Sequence, residues 1–373
     1  MTKPRIPFLT LTPGEDAAAV RAAIDRVVSR GWFILGPEVD AFEAEFAALM
    51  GAAHAAGVGT GTDAIALILR ALGIGAGDEV ITTPLSAAYS ALAIIMTGAR
   101  PVFADIDRER LTLDPDAVAR AIGPRTRAIL PVHLYGQAAD MTTLERIASR
   151  HNLALVEDCC QAHLATAGGR MVGTIGAAGA FSFYPTKNLG ALGDGGAVVT
   201  NDRALADRVK RLRNGGQTDR CHHVEPGINS RLDEIQAAIL SARLPFLRKW
   251  TTRRRSLAAR YRATLAGSPV DLPPELDAGH VYHLFVILAR DRAARGDLQA
   301  RLAADGIETL IHYPVPMPHQ PAFAAGDPAE CPIASSVCER ILSLPLHPAM
   351  SDADVDAVSA AVKKVKGHAA CGR

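Results

Sequence analysis

Three features of the chain could do chemistry together. The first is the run Gly57-Val58-Gly59-Thr60-Gly61-Thr62-Asp63, set between a small-residue apolar strand and a helical stretch. Free main-chain N–H groups and the helix dipole make such a turn an anion site, and glycines let the backbone approach a phosphate. The dinucleotide fingerprint GxGxxG is not met, because Thr62 stands where its last glycine would. Taken alone, the segment reads equally well as a tight turn with no ligand. The second feature is Glu157-Asp158, which ends the apolar run 153–156. Ligands in open α/β sheets sit beyond the carboxyl ends of the strands, and an acid there is costly without a cationic partner. The third is Lys187, which follows the strand 180–184 and precedes Gly190, Gly193, Gly195 and Gly196. A desolvated lysine can lose its proton and attack a carbonyl carbon. Singly, Asp158 reads as a helix cap and Lys187 as a solvated side chain. Together, a phosphate cradle, a strand-end carboxylate and a desolvated lysine are what pyridoxal 5′-phosphate requires. They would anchor its phosphate, pair with its protonated ring nitrogen, and supply the amine that forms a Schiff base and moves protons.

These residues need a scaffold that sets several strand ends side by side. Apolar residues recur every three to four positions over 15–29, 39–50, 62–72, 86–97, 115–122, 142–150 and 202–213, which predicts helices. Asp114 is placed to cap the helix at 115. Between them lie apolar runs at 55–59, 79–84, 100–106, 126–134, 153–158, 177–185 and 195–201. Near-continuous apolar strands alternating with helices imply an α/β fold whose mostly parallel sheet is covered on both faces. The texture changes near Leu244-Pro245, where a long helical stretch begins and runs to about 266. Strands at 281–288 and 308–314 and helices at 293–305, 333–342 and 352–366 follow. The expected organisation is an N-terminal arm and large cofactor domain over 1–244 and a smaller α+β domain over 245–373.

Composition removes other classes. Of the 373 residues 49% are hydrophobic, enough to pack a core. Forty basic against 39 acidic residues leave a net charge of +1, so a basic nucleic-acid binder is disfavoured. The cysteines (159, 160, 221, 331, 338 and 371) form no CxxC and are too sparse for a disulfide framework. The N-terminus carries no apolar signal core, and the longest weakly polar stretch, 87–96, is far short of the ~20 residues of a membrane span. A cytoplasmic protein is expected.

The chain then becomes recognisable. The segments GTGTDAI (59–65), VHLYGQAADM (132–141), VEDCCQAH (156–163), FSFYPTKNLGALGDGGAVVTND (181–202), GINSRLDEIQAAIL (227–240) and IHYPVPMPHQPAF (311–323) resemble, in order, the motifs of the pyridoxal-phosphate-dependent sugar aminotransferases of DegT/StrS type. The resemblance spans about residues 8–350. It implies the aspartate-aminotransferase-like fold of type I, a homodimer with shared active sites, and amino transfer from L-glutamate to a nucleotide-linked 3- or 4-keto sugar. Position by position, Lys187 matches the lysine that carries the cofactor and Asp158 the partner of the ring nitrogen. Gln161 matches the residue near the ring hydroxyl. Gly61, Thr62 and Ser182 match the phosphate site, which Asn229 reaches from the neighbouring subunit. His163 resembles a histidine near the ring and is a candidate substrate contact. Many members place an aromatic four residues after the proline of the ITTP segment; this chain has Ala88 there, and the adjacent Tyr89 is the candidate to cover the ring. His222 and His223, in a loop the family places at the site mouth, and Tyr313 are candidate substrate contacts. His133 and His312 also stand at strand ends that the family places around the cleft.

Two other readings share these motifs: a keto-sugar dehydratase and a non-catalytic dimeric binding or regulatory protein. The dehydratases of the family carry histidine in place of the lysine, so Lys187 favours the transferase; intact Asp158 and Ser182 speak against a non-catalytic role. Cys221-His222-His223 matches no closed metal-ligand spacing, and no metal is expected. The arginine-rich stretch 248–262 reads as a solvated helix face, or as an attractor of a substrate diphosphate.

Overall fold

The computed structural model describes residues 5–323 and 329–364. Cys371, residues 365 and 366 of the last expected helix and the end of the region 245–373 lie outside them. From the N-terminus run α1 (Ala17–Arg30), α2 (Pro37–Met50), β1 (His54–Val58), α3 (Gly61–Ala71), β2 (Glu79–Thr82), α4 (Tyr89–Met96), β3 (Arg100–Phe103), α5 (Pro115–Ala121), β4 (Thr126–Leu130), α6 (Met141–Arg150) and β5 (Ala154–Asp158). A small hairpin, β6 (Thr166–Ala167) and β7 (Arg170–Met171), precedes β8 (Ala178–Ser182), β9 (Gly196–Thr200) and α7 (Arg203–Leu212). A second hairpin, β10 (Gln217–Asp219) and β11 (His222–His223), leads to α8 (Glu234–Leu265). Then follow β12 (Phe285–Leu288), α9 (Arg292–Ala304), α10 (Pro332–Arg340), β13 (Ile341–Leu344) and α11 (Asp352–Lys363).

Seven strands form one sheet in the order β1-β9-β8-β5-β4-β2-β3. Pairs from β8 to β3 are parallel, whereas β9 runs antiparallel to both β1 and β8. The two-residue period of a strand sorts side chains to opposite faces. Ala128 and Leu130 of β4, Val156 of β5 and Val198 of β9 pack with α3, which is buried along most of its length. The alternate residues Ile129 and Leu155 meet α5 and α6, and Ala197 and Val199 meet α2 and α8. The cap at Asp114 forms, its carboxylate accepting from the N–H groups of Asp116 and Ala117.

Four elements differ from expectation. The helix expected from about 245 begins at Glu234 and passes through Pro245 without ending. Ala237, Leu240 and Leu247 pack into the sheet core, while Leu257, Ala258, Tyr261 and Leu265 pack with β12, β13 and α11, so both cores support the helix across the proline. The strand expected over 281–288 shrinks to β12, because Tyr282 takes a left-handed φ of 48°. The segment 308–314 makes only one bridge, Leu310 to Ser343, and Pro314 and Pro316 cannot donate to a ladder. The helix expected to 342 stops at Arg340, and residues 341–344 become β13, paired antiparallel with β12. Among the described residues no helix is long and apolar enough to cross a membrane.

Candidate active site

The carboxyl ends of two central strands bring Asp158 and Ser182 close together. Asp158 ends β5 opposite Ala180 of the parallel β8, and Ser182 lies two residues further along β8. Ser182 pairs in turn with Gly196 of β9, whose backbone packs against Thr60 so closely that a Cβ would lie 2.4 Å from that carbonyl. The turn at the start of α3 is thereby fixed beside Ser182. The Thr60 hydroxyl accepts from the N–H of Asp63, and Thr62 stands half-buried in the first turn. A Cβ on Gly61 would come within 2.7 Å of both Cys160 Sγ and Ser182 Cβ. Gly61→Ala should therefore displace the turn and weaken pyridoxal phosphate binding roughly 10- to 100-fold, measured by titrating apoprotein; unchanged affinity would remove Gly61 from the site.

Asp158 is buried, and both its oxygens are held. Oδ2 accepts from the Ser90 hydroxyl at 2.7 Å, and Oδ1 from the Cys160 N–H at 3.1 Å. Ser90, in α4 beside Tyr89, had no signal of its own in the sequence. Ser90→Ala should free the carboxylate to rotate and lower kcat roughly 10-fold, with a change in the visible band of bound cofactor that Ser90→Thr restores. An unaltered band would show that Ser90 does not hold Asp158. Lys187 follows a tight turn closed by its own N–H on the Tyr184 carbonyl. Its pKa is lowered by burial, an effect opposed by the nearby Cys160 and Asp158. The amine thus gives up its proton more readily than a solvated lysine.

Gln161 is locked from two sides. Its Oε1 accepts from the Tyr135 N–H at 2.8 Å, and its Nε2 donates to the Tyr313 hydroxyl at 3.1 Å. Tyr135 takes an unusual left-handed φ of 59° to make that bond, and its hydroxyl donates to the His312 carbonyl. Burial pushes the Tyr313 phenol up to about 12, so it stays protonated at neutral pH. Burial, then the charge of Lys187, pushes His312 down to about 4.

His163 is fully buried against Phe181 and Phe183, and neither ring nitrogen has a partner. Burial first, and then the charge of Lys187, lower its pKa to about 3, so it packs as a neutral ring near that lysine. Tyr89 opens α4 with 63% of its surface exposed. Asn229 is exposed, bridged to Asn214, while the next residue, Ser230, turns inward to accept from the Gly59 N–H and donate to Asp63. His222 and His223 are exposed on the second hairpin, where His222 pairs with Asp219 and His223 meets the Gly215 carbonyl. His133 does not face the cleft; it is buried against Glu157.

The clustered donors fit pyridoxal phosphate. A turn with no room for a side chain at Gly61, a fixed carboxylate, an amide whose Nε2 points toward the cleft-side phenol and a half-buried amine of lowered pKa are the groups its phosphate, ring nitrogen, ring hydroxyl and aldehyde need.

Comparisons with known proteins agree. The family model of the DegT/DnrJ/EryC1/StrS aminotransferases matches residues 15–363. A dTDP-3-amino-3,4,6-trideoxy-α-D-glucose transaminase of Streptomyces venezuelae is 50% identical over 351 residues, 92% of each chain. A dTDP-3-amino-3,6-dideoxy-α-D-galactopyranose transaminase of Aneurinibacillus thermoaerophilus is 45% identical over 362 residues, 96% of this chain and 99% of the relative. Among solved structures, S. venezuelae DesV in complex with a ketimine intermediate superposes with a TM-score of 0.94 at 48% identity, over 97% of this chain and 98% of that one. With its sheet order, its strand-end lysine and these likenesses along nearly the whole chain, the protein belongs to the DegT/DnrJ/EryC1/StrS aminotransferase family.

Proposed function

We propose that the protein moves the amino group of L-glutamate to a keto carbon of a nucleotide-linked sugar, with pyridoxal 5′-phosphate as cofactor. The observation that carries this reading is Lys187, half-buried near Asp158 at the strand ends that also hold Ser182 and adjoin Gly61. When bound, the cofactor supplies an aldehyde that combines with amines and a ring that draws electrons from them. Gly61, Thr62 and Ser182 bind its phosphate, Asp158 holds its ring N–H, and Gln161 Nε2 donates to its ring hydroxyl. Lys187 Nζ removes the α-proton of the donor and returns a proton, as base and then acid. Asn229 faces solvent in this chain, which suits a residue that completes the site of a second copy. Trp32, Phe33, Tyr184 and Val224 are exposed apolar side chains that such a homodimer would cover. The described cysteines are unbridged, which suits a cytoplasmic enzyme. The two relatives carry their amino groups at C3 of dTDP-sugars by name, and we assign C3 of a dTDP-linked sugar as the acceptor position.

The loaded protein should be yellow, borohydride should fix the cofactor on the peptide containing Lys187, and L-glutamate should bleach the visible band. Protein that takes up no pyridoxal phosphate, or a band that glutamate leaves intact, would refute the reading. Supplied with 3-keto and 4-keto dTDP-sugars in parallel, the aminated enzyme should convert the 3-keto sugar; preference for the 4-keto sugar would overturn the C3 assignment alone.

A further inference from the structure

A cavity of about 330 Å³ opens between the N-terminal arm, the loop that carries Lys187, and α8. Its wall includes Lys187, Arg243, Trp250, Arg254 and His347, but none of Gly61, Thr62, Asp158, Gln161 or Ser182. It is therefore a space beside the lysine, distinct from the cofactor cradle. Its two acids are already paired: Asp16 accepts from Arg243 at 2.8 Å, and Glu15 accepts from Lys249 and from the Trp250 ring N–H. Arg254 is different. It is buried, with 7% of its surface exposed, and no carboxylate pairs with it among the described residues. Its hydrogen bonds all leave from Nη1, to the carbonyls of Tyr282 (3.3 Å), His283 (3.3 Å) and Leu346 (2.8 Å), and Nε has no partner.

A buried guanidinium without a counter-ion is costly, and here burial alone pulls its pKa down to about 10. His347 lies close to it, buried, its own pKa lowered by burial and then by the Arg254 charge. His283, also buried, is depressed by burial, then by Lys187 and then by Arg254, so both cations act on one imidazole and stand near each other. The cavity thus places one uncompensated positive charge within reach of the reactive amine.

We propose that this cavity receives the amino-acid donor and that Arg254 binds one of its carboxylates. The inference rests on the transamination reading above and names the donor's subsite within it. A carboxylate supplies the single missing charge, and a charge-assisted hydrogen bond from the guanidinium would hold it. The volume lies at the low end of small-molecule sites, which run roughly 300–1,000 Å³; it suits an amino acid and not a nucleotide-linked sugar. Leu9, Leu11 and Trp250 give the methylenes of such a donor an apolar wall.

The test uses protein loaded with pyridoxal phosphate and mixed with L-glutamate, followed by loss of the visible band. Arg254→Met should raise the glutamate concentration for half-maximal rate roughly 10- to 100-fold, and Arg254→Lys by less, with affinity for pyridoxal phosphate unchanged. Glutarate, which has no amine to transfer, should raise the Tm of the wild-type protein and not that of Arg254→Met. Ala349→Phe fills the cavity while sparing the carbonyl bonds of Arg254, so it serves if Arg254→Met does not fold; it should abolish the glutarate effect. An unchanged half-saturation in Arg254→Met, or a glutarate effect that survives Ala349→Phe, would overturn the assignment. If wild-type protein binds glutarate at this cavity yet its band ignores glutamate, the carboxylate site stands and the transamination reading falls.

Discussion

Lys187→Ala is expected to lower the rate of amino transfer by about 10⁴-fold or more, because one amine serves both to hold the cofactor and to move the proton. Burial lowers the pKa of Lys187, and the partial opposition from Cys160 and Asp158 does not restore the ordinary lysine value. Its neutral form is therefore more populated near pH 7 than that of a solvated lysine. Lys187→Arg should be as inactive as the alanine variant, since a guanidinium keeps its proton. The sign for stability runs the other way. A lysine whose folded pKa lies below its unfolded value opposes folding while it is protonated, below that folded pKa, and the opposition fades as pH rises through the folded and then the unfolded value. Lys187→Ala should consequently keep or raise the Tm at pH 7. Single-turnover absorbance with glutamate and a thermal melt check both halves; a variant within about tenfold of the wild-type rate would show that another group carries the proton.

Glu157→Ala should have the largest effect on stability. The side chain is fully buried on the face of β5 opposite Asp158. Its Oε1 accepts from the N–H groups of Ile175 and Gly176, both at 2.8 Å, and its Oε2 from Gly173 at 2.8 Å and His133 Nε2 at 3.0 Å. His133 Nδ1 accepts from the Ala139 N–H, which assigns the ring proton to Nε2. Removing the carboxylate strands three main-chain donors and one ring donor inside the sheet, a loss of about 3–5 kcal/mol. The Tm should fall by roughly 5–10 °C, and Glu157→Gln, which keeps an acceptor, should fall less. A Tm within error of wild type in the alanine variant would mean that the loop 173–176 finds other partners. Cys159 Sγ joins His133 and Glu157 within 4.8 Å, a grouping that could pass for a metal site. The polar atoms of His133 and Glu157 are already committed to one another and to the backbone, and burial raises the Cys159 thiol well above its usual range. Chelator should leave the Tm unchanged.

Much of the architecture was readable before any coordinates. Alternating apolar runs and amphipathic stretches over 39–213 marked every strand of the large sheet and the helices within that span, because burial on two faces leaves a periodicity in the chain itself. Where the reading slipped, a long-range contact had overruled local preference. Residues 341–344 continue a helical pattern yet pair with β12, and Pro245 is held inside α8 by packing on two cores. Partners far apart in the chain leave no local mark. Ser90 and Asp158 are 68 residues apart, and Tyr313 lies 152 from Gln161, so neither bond could be inferred from spacing.

The amino-acid order alone supplied the reactive lysine, the glycine turn, the acid pair at 157–158 and the motif succession that marks the family, since each is a matter of residue type and short spacing. It could not say that Ser90 holds Asp158, that Gly61 touches Ser182, or that Arg254 stands without a counter-ion beside a cavity. Those answers depend on which strands become neighbours and which side of the pleat each residue takes, and that is settled when distant segments bury their apolar faces against each other.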